Sequence, residues 1–301
     1  MLINNMANIV NLKKHAIMNT KYKNNLVKTD EINKSIDEVF GEEIKVAIVI
    51  LTRGYDTMRS YYDLLNRNIN IERNLSDKNI ELVFFHEGNI TDSQQRHIRN
   101  ETKALRQMKF VSIKGDCFLE EKKHVEISAE TKKFDLNYRH MCHFWFVDFW
   151  RYCSEYDLIL RIDEDCFIDF DPVMVFGKLV DKVSVYGFWD KDLEYVTQGM
   201  NDFTMRFLKE SNKSTELIEC DKKSPSGPYT NIIGLNLKKL RENELLQEYI
   251  AKVDESDCIY KYRWGDLPLW GEVLHYFYKK EDHMLNNKIK YFHKSHNFRV
   301  N

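Results

Sequence analysis

The stretch LILRIDED, Leu158 to Asp165, decides the fold: an apolar run that reads as a buried strand stops abruptly in three acidic residues. Side chains two apart on an extended backbone point the same way, so Asp163 and Asp165 are expected to converge on one object while Glu164 faces away. In open α/β sheets ligands collect beyond the carboxyl ends of the strands, which is where this cluster falls. Hard oxygen donors there suit a divalent cation, Mg²⁺ or Mn²⁺, bridging the phosphates of a nucleotide. The plainer alternative is that the acids cap the next helix or lie in water. Asp171-Pro172 already supplies a helix cap and a first helical residue, which leaves the earlier carboxylates without a structural job.

Outward from this strand, short apolar runs alternate with amphipathic stretches from Lys45 onward. Val46 to Leu51, Ile80 to Phe85 and Phe110 to Ile113 read as strands. A helix beginning near Asp56 is expected to bury Met58, Tyr61, Tyr62, Leu65 and Ile69, and Thr91 with Gln94 forms a capping box for another. The aromatic segment Tyr138 to Tyr152 reads as a largely buried helix. After the acidic strand come a helix at Pro172 to Val180, a strand at Val183 to Phe188, an apolar run at Tyr229 to Leu235 and a helix at Leu237 to Val253. This alternation predicts an α/β fold with a mostly parallel central sheet flanked by helices, as one domain over residues 41–301. Residues 1–40, rich in Asn and Lys, are expected to be a peripheral arm.

Composition limits the function classes. Lys+Arg 45 against Asp+Glu 47 in 301 residues gives a net charge of −2, which argues against a uniformly basic face for nucleic acid or anionic membrane. The six cysteines, at 117, 142, 153, 166, 220 and 258, show no C-x-x-C pair or zinc spacing and read as reduced, buried thiols. No apolar run approaches the roughly 18–20 residues of a membrane span, so a cytosolic location is expected.

Three further clusters could carry chemistry. In YRHMCHFW, Tyr138 to Trp145, Arg139 and His143 share a helix face, either toward a ligand or simply outward from a core helix. In YRWGDLP, Tyr262 to Pro268, Asp266 reads as a helix cap; beside an exposed Trp264 it could also hold a sugar, whose apolar face stacks on the indole. In KIKYFHKSHN, Lys288 to Asn297, a short strand delivers His293 and His296, and His293 becomes a ligand candidate once Asp163 and Asp165 supply carboxylates.

LILRIDED, together with Tyr138-Arg139-His140-Met141, Arg263-Trp264-Gly265-Asp266 and Tyr291-Phe292-His293, resembles the fungal α-1,2-mannosyltransferases of glycosyltransferase family 15, in order and approximate spacing. The resemblance runs from about Ala47 to Asn297 and includes Leu51-Thr52-Arg53 after the first strand. It implies a GT-A fold, Mn²⁺ (or Mg²⁺), a nucleotide-sugar donor that in the family is GDP-mannose, a saccharide acceptor, and transfer with retention of configuration. Carried over by position, it implies Asp163, Asp165 and His293 as metal ligands, with Asp163 standing where the family usually has Glu. Thr52, Arg53, Tyr138, Arg139 and Asp163 fall at donor-binding positions, Arg53 offering its planar fork to nucleotide or phosphate. Asp266, Tyr138 and Glu272 are the catalytic candidates, Asp266 or Glu272 as base.

Two departures qualify the resemblance. A family Glu proposed as nucleophile or base aligns with Ile233, which has no lone pair, so a covalent glycosyl-enzyme at that position is excluded. Front-face substitution is then expected, with the acceptor hydroxyl attacking on the side the diphosphate leaves. Family members are typically Golgi type II proteins, whereas this chain reads as a cytosolic relative, its Asn and Lys usage suggesting an AT-rich or viral genome. Beside transfer, two other readings stand: a weakened relative that binds sugar or nucleotide without turnover, and a metal-dependent phosphohydrolase, for which the Asp and His ligands are sparse.

Overall fold

The computed structural model describes residues 44–102, 107–211 and 224–301. The arm assigned to residues 1–40, and Cys220, lie outside the described residues. The chain runs β1 (Val46–Thr52), α1 (Tyr62–Asn74), β2 (Glu81–His86), α2 (Asp92–Glu101), β3 (Met108–Ser112), α3 (Leu136–His143), a π-helical turn (Phe144–Asp148), α4 (Phe149–Tyr152) and β4 (Leu158–Ile162). It continues through β5 (Cys166–Ile168), α5 (Pro172–Leu179), β6 (Ser184–Tyr186), β7 (Trp189–Lys191), α6 (Met200–Glu210), β8 (Ser226–Pro228) and β9 (Ile232–Asn236). The last elements are α7 (Leu237–Arg241), α8 (Glu244–Glu255), α9 (Cys258–Tyr262), α10 (Asp266–Tyr276), β10 (His283–Leu285), β11 (Tyr291–His293) and β12 (Phe298–Val300).

Seven strands form the main sheet in the order β10-β6-β9-β4-β1-β2-β3. β4 lies near its middle and is buried along its whole length, as a continuous apolar run with helices on both faces requires. It pairs parallel with β1 and antiparallel with β9. Alternate residues of β1 divide the core: Ala47 and Val49 enter one cluster with Phe85, Trp145 and Trp270, while Ile48 and Ile50 enter the other with Phe84, Leu160 and Phe176. The order reverses at β1, with β2 and β3 to one side and β4 to the other, so the crevice between β1 and β4 is the switch point where a ligand is expected.

Several boundaries follow the sequence. Thr91 and Gln94 make the reciprocal capping box, and Asp171 caps α5 with Pro172 at its first turn. Other expectations are corrected. The buried face of α1 carries Leu64, Arg67, Asn68 and Ile71, whereas Met58 and Tyr62 are exposed. Apolar periodicity missed this because Arg67 is fully buried, donating to the Ile162 carbonyl at 2.6 Å at the end of β4. The helix expected over Leu237 to Val253 is two, because the Asn243 side chain accepts from Leu246 N and starts α8 afresh.

The π turn after α3 is pinned by a buried histidine. His143 Nδ1 lies 2.7 Å from Asp148 Oδ2 and its Nε2 lies 2.8 Å from Asp254 Oδ1 on α8. Donating to two carboxylates requires both nitrogens protonated. Burial works against the charge, but the two carboxylates outweigh it and raise the His143 pKa above its usual 6.5. A raised folded pKa stabilises fully below the unfolded value and is lost as pH rises through the folded one. His143→Asn should therefore lose less stability than the wild type between about pH 5 and about pH 9. Denaturant unfolding at both pH values checks this; parallel losses would refute the charged histidine.

Candidate active site

β4 ends at the carboxyl edge of the sheet, and its three acids take three different partners. Asp163 is held by the Arg161 guanidinium, from Nε to Oδ1 at 2.8 Å and from Nη2 to Oδ2 at 3.0 Å. Glu164 accepts from the Thr52 hydroxyl at 2.6 Å, at the end of β1, and from the Tyr55 hydroxyl at 2.5 Å on the loop after it. Asp165 Oδ1 lies 3.4 Å from His293 Nε2, and its Oδ2 accepts from Ser295 N at 3.1 Å. Burial would raise the Asp165 pKa, but the bonds from His293 and Ser295 hold it well below the usual carboxylate range.

The Asp165–His293 pair is built by strand register. β5 pairs antiparallel with β11 so that Cys166 opposes His293, and Lys294 N donates to the Asp165 carbonyl at 3.1 Å. Among the described residues one group of three potential metal ligands comes within 4.8 Å: Asp165, Cys166 and His293. The Cys166 thiol is fully buried, and burial pushes its pKa well up, so it stays neutral there. An anionic oxygen and an imidazole nitrogen fit Mn²⁺ or Mg²⁺ better than a thiol does. Asp163 is outside this group, which corrects the expected convergence of both aspartates. β4 ends at Ile162, and a turn closed by Cys166 N donating to the Asp163 carbonyl at 3.1 Å breaks the alternation between the two aspartates, while Arg161, two residues earlier, holds Asp163.

Arg161 was the functional residue missed in the sequence. Besides Asp163 it donates from Nη1 to Asp266 Oδ2 at 2.5 Å, and its guanidinium carbon lies 4.3 Å from the centre of the Trp145 ring. Asp266 opens α10 after Gly265 and is 5% exposed, so it is the first helical residue rather than the cap. On the rim, Tyr138 receives a hydrogen bond from Arg263 Nη2 at 3.0 Å, and Arg263 is paired in turn with Asp192. Burial, with the charges of Asp266 and Asp192 adding to it, pushes the Tyr138 phenol well above its usual value. Tyr138 and Asp266 thus share one neighbourhood. Arg53 is exposed on the β1 loop, its guanidinium 5.3 Å from the Tyr55 ring.

Three expected site residues do other work. Arg139 is fully buried and donates to the carbonyls of Tyr260 and Thr131 at 2.5 and 2.6 Å, which fixes the loop before α3 and leaves little for a phosphate. Trp264 is 1% exposed and its indole donates to the Gln198 carbonyl, so it is no stacking platform. Glu272 is 2% exposed on α10 and accepts from Asn201 on α6, away from the carboxylates at the sheet edge in its bonding. Of the histidines, His293 comes to the site with His296 beside it, nitrogens 3.1 Å apart.

No family model matches the chain. The sequence is 26% identical over 309 residues to glycolipid 2-alpha-mannosyltransferase 2 of Candida albicans, covering 87% of this chain and 64% of that protein. The chain thus spans just under two thirds of that relative's length. The mannosyltransferase Ktr4p from S. cerevisiae, solved in complex with GDP, matches with a TM-score of 0.71 at 19% identity over 84% of this chain and 71% of that one. Core-mannan synthase A from Aspergillus fumigatus, solved in a Mn/GDP form, matches at 0.67 and 17% identity over 85% and 76%. The fold is GT-A, as the motifs implied, and the sequence likeness is to a mannosyltransferase.

Burial pushes the Glu272 pKa from 4.5 up to about 7. The unfolded chain then gives up this proton first, so stability falls as pH rises across that interval. Glu272→Gln should be more stable than wild type above neutral pH, by up to about 3 kcal/mol, and nearly equal near pH 4. Its effect on ligand binding should be slight. Melting curves across pH check the first claim; an equal difference at every pH would refute it.

Proposed function

We propose that the protein is a metal-dependent glycosyltransferase that moves a sugar, mannose from GDP-mannose, to a hydroxyl of a saccharide acceptor with retention of configuration. The observation that carries this is the Asp165–His293 pair at 3.4 Å, set beside the switch-point crevice of a GT-A sheet. Support also comes from the GDP and Mn/GDP named with the two solved relatives and from the mannosyltransferase that the sequence resembles.

Asp165 and His293 would hold the cation. Bound there, the ion supplies neutralisation of the negative charge that builds on a departing diphosphate. Arg53, exposed at the crevice mouth, adds a fixed positive charge for phosphate oxygens. Glu164 ties the Thr52 and Tyr55 hydroxyls to the end of β4, which orients the loop that carries Arg53. Asp266 is kept in place by Arg161 on one oxygen, leaving the other as an acceptor for an incoming hydroxyl proton. Ile233 is 1% exposed and offers no nucleophile, so the reaction runs by front-face substitution, without a sugar ester on the chain at that position.

One observation favours a weaker second reading, a sugar or nucleotide binder without turnover: Asp163, the expected ligand, is engaged on both oxygens by Arg161. A single experiment separates the two. The protein is incubated with a panel of nucleotide sugars, with Mn²⁺ or EDTA, and nucleoside diphosphate release is followed with and without saccharide acceptors. Acceptor-dependent release that EDTA abolishes is expected; metal-dependent binding without release would favour the second reading. Asp165→Asn and His293→Ala should each lower turnover roughly 100-fold or more with little change in melting temperature. Full activity in Asp165→Asn would rule out the metal assignment, and Ile233→Val should leave turnover nearly unchanged.

A further inference from the structure

With both oxygens of Asp163 held by Arg161, the carboxylate and imidazole left to meet a cation are those of Asp165 and His293. The turn after β11 brings a second imidazole to the same place. His296 Nδ1 lies 3.3 Å from His293 Nε2 and 3.1 Å from its Nδ1, with the ring centres 4.4 Å apart and the planes tilted by 57°. Ser295 Oγ joins the group, 3.1 Å from His293 Nε2 and 3.3 Å from His296 Nδ1.

That turn is tethered to the site. Ser295 N donates to Asp165 Oδ2 and Lys294 N to the Asp165 carbonyl, each at 3.1 Å, and Lys294 Nζ pairs with Asp63 on α1. Asn297 N closes the turn on the Lys294 carbonyl at 3.0 Å, with Asn297 at φ +46°, a left-handed conformation that asparagine tolerates better than most residues. The backbone of His296 is thus fixed from both sides, while its ring is exposed and has its side-chain rotamers open to it.

The spacing is that of ligands around one ion. Donor atoms about 2.1 Å from a cation stand about 3.0 Å apart at octahedral angles and about 3.4 Å apart at tetrahedral ones. His293 Nε2 has Asp165 Oδ1 at 3.4 Å and His296 Nδ1 at 3.3 Å, both within that range. His293 Nδ1 lies 3.3 Å from the Tyr229 phenol oxygen. A proton on Nδ1 given to that oxygen leaves the Nε2 lone pair for a cation, which is how metal-bound histidines are ordinarily braced. Two imidazole nitrogens this close share either a proton or a cation, because two lone pairs facing each other repel.

We propose that His296 is a third protein ligand, so that Asp165, His293 and His296 present one carboxylate and two imidazoles to a single cation. This rests on the cation site of the proposed transferase and deepens it by naming the class of ion. Imidazole nitrogen suits the later first-row ions, whereas Mg²⁺ prefers oxygen ligands and gives up its water reluctantly. The set therefore selects Co²⁺ or Zn²⁺ over Mn²⁺, and Mn²⁺ over Mg²⁺, more steeply than Asp165 and His293 do without it.

The test loads the full chain with MnCl₂ and reads pulsed electron paramagnetic resonance, in which each coordinated imidazole adds a ¹⁴N modulation. The wild type should show two coupled nitrogens and His296→Gln one, with the same melting temperature, since the ring is exposed. Calorimetric titration with CoCl₂, MnCl₂ and MgCl₂ gives a second readout. His296→Gln should weaken Co²⁺ about hundredfold, Mn²⁺ about tenfold and Mg²⁺ hardly at all. A single coupled nitrogen in the wild type, or affinities that are unchanged or fall equally for all three ions in His296→Gln, overturns the third ligand and leaves the Asp165–His293 pair standing. No coupled nitrogen in the wild type, with His293→Ala binding the ions as tightly, overturns that pair and the third ligand with it.

Discussion

The buried guanidinium of Arg161 is the constraint on which the site depends. Taking a charge this far out of water costs several kcal/mol, and only well-made partners offset it. Arg161 has three such bonds, two to Asp163 and one to Asp266, and the face of Trp145 beneath it. Asp266 lies 105 residues further along the chain. The clamp therefore joins the end of the central strand to the first turn of α10, with the aromatic segment after α3 as its floor. Asp266 gains a second favourable term, because a carboxylate in the first turn of a helix faces the positive end of the helix dipole.

With Asp163 spent on that clamp, the work of the acidic triplet divides along the backbone. Glu164 points toward β1 and fixes its loop through two hydroxyls, while Asp165 turns to the hairpin of β11 and β12. No single carboxylate serves all three ends of the crevice. The register of β5 on β11 brings His293 across from Cys166, so the Asp165–His293 pair owes its geometry to backbone pairing as much as to side chains.

Much of this was legible in the sequence because it rests on local patterns. The apolar run of β4, the capping box at Thr91 and the Asp171-Pro172 start are written in neighbouring residues, and each appears where its pattern places it. His293 was legible only beside carboxylates far away in the chain. What escaped were buried polar groups whose partners are remote: Arg67 on the inner face of α1, Arg139 under Tyr260, and Arg161 between two aspartates. A pattern of apolar residues treats an arginine as surface, and nothing in the sequence near these positions announces a carbonyl or carboxylate more than 90 residues away. Trp264 misled for the opposite reason, since a tryptophan beside an acid looks the same whether the indole faces solvent or core.

Ile233 and Asp266 meet at the same guanidinium, that of Arg161. Ile233 is the cross-strand partner of both Arg161 and Tyr186, so its side chain lies on the same face of the sheet as the guanidinium. A carboxylate there would put a third buried anion around a single cation, and it would compete with Asp266 for the donor at Nη1. With an apolar residue in its place, the charge count around Arg161 stays at two anions to one cation, and the donor at Nη1 is committed to the helix side. One oxygen of Asp266, in the first turn of α10, is held by that guanidinium.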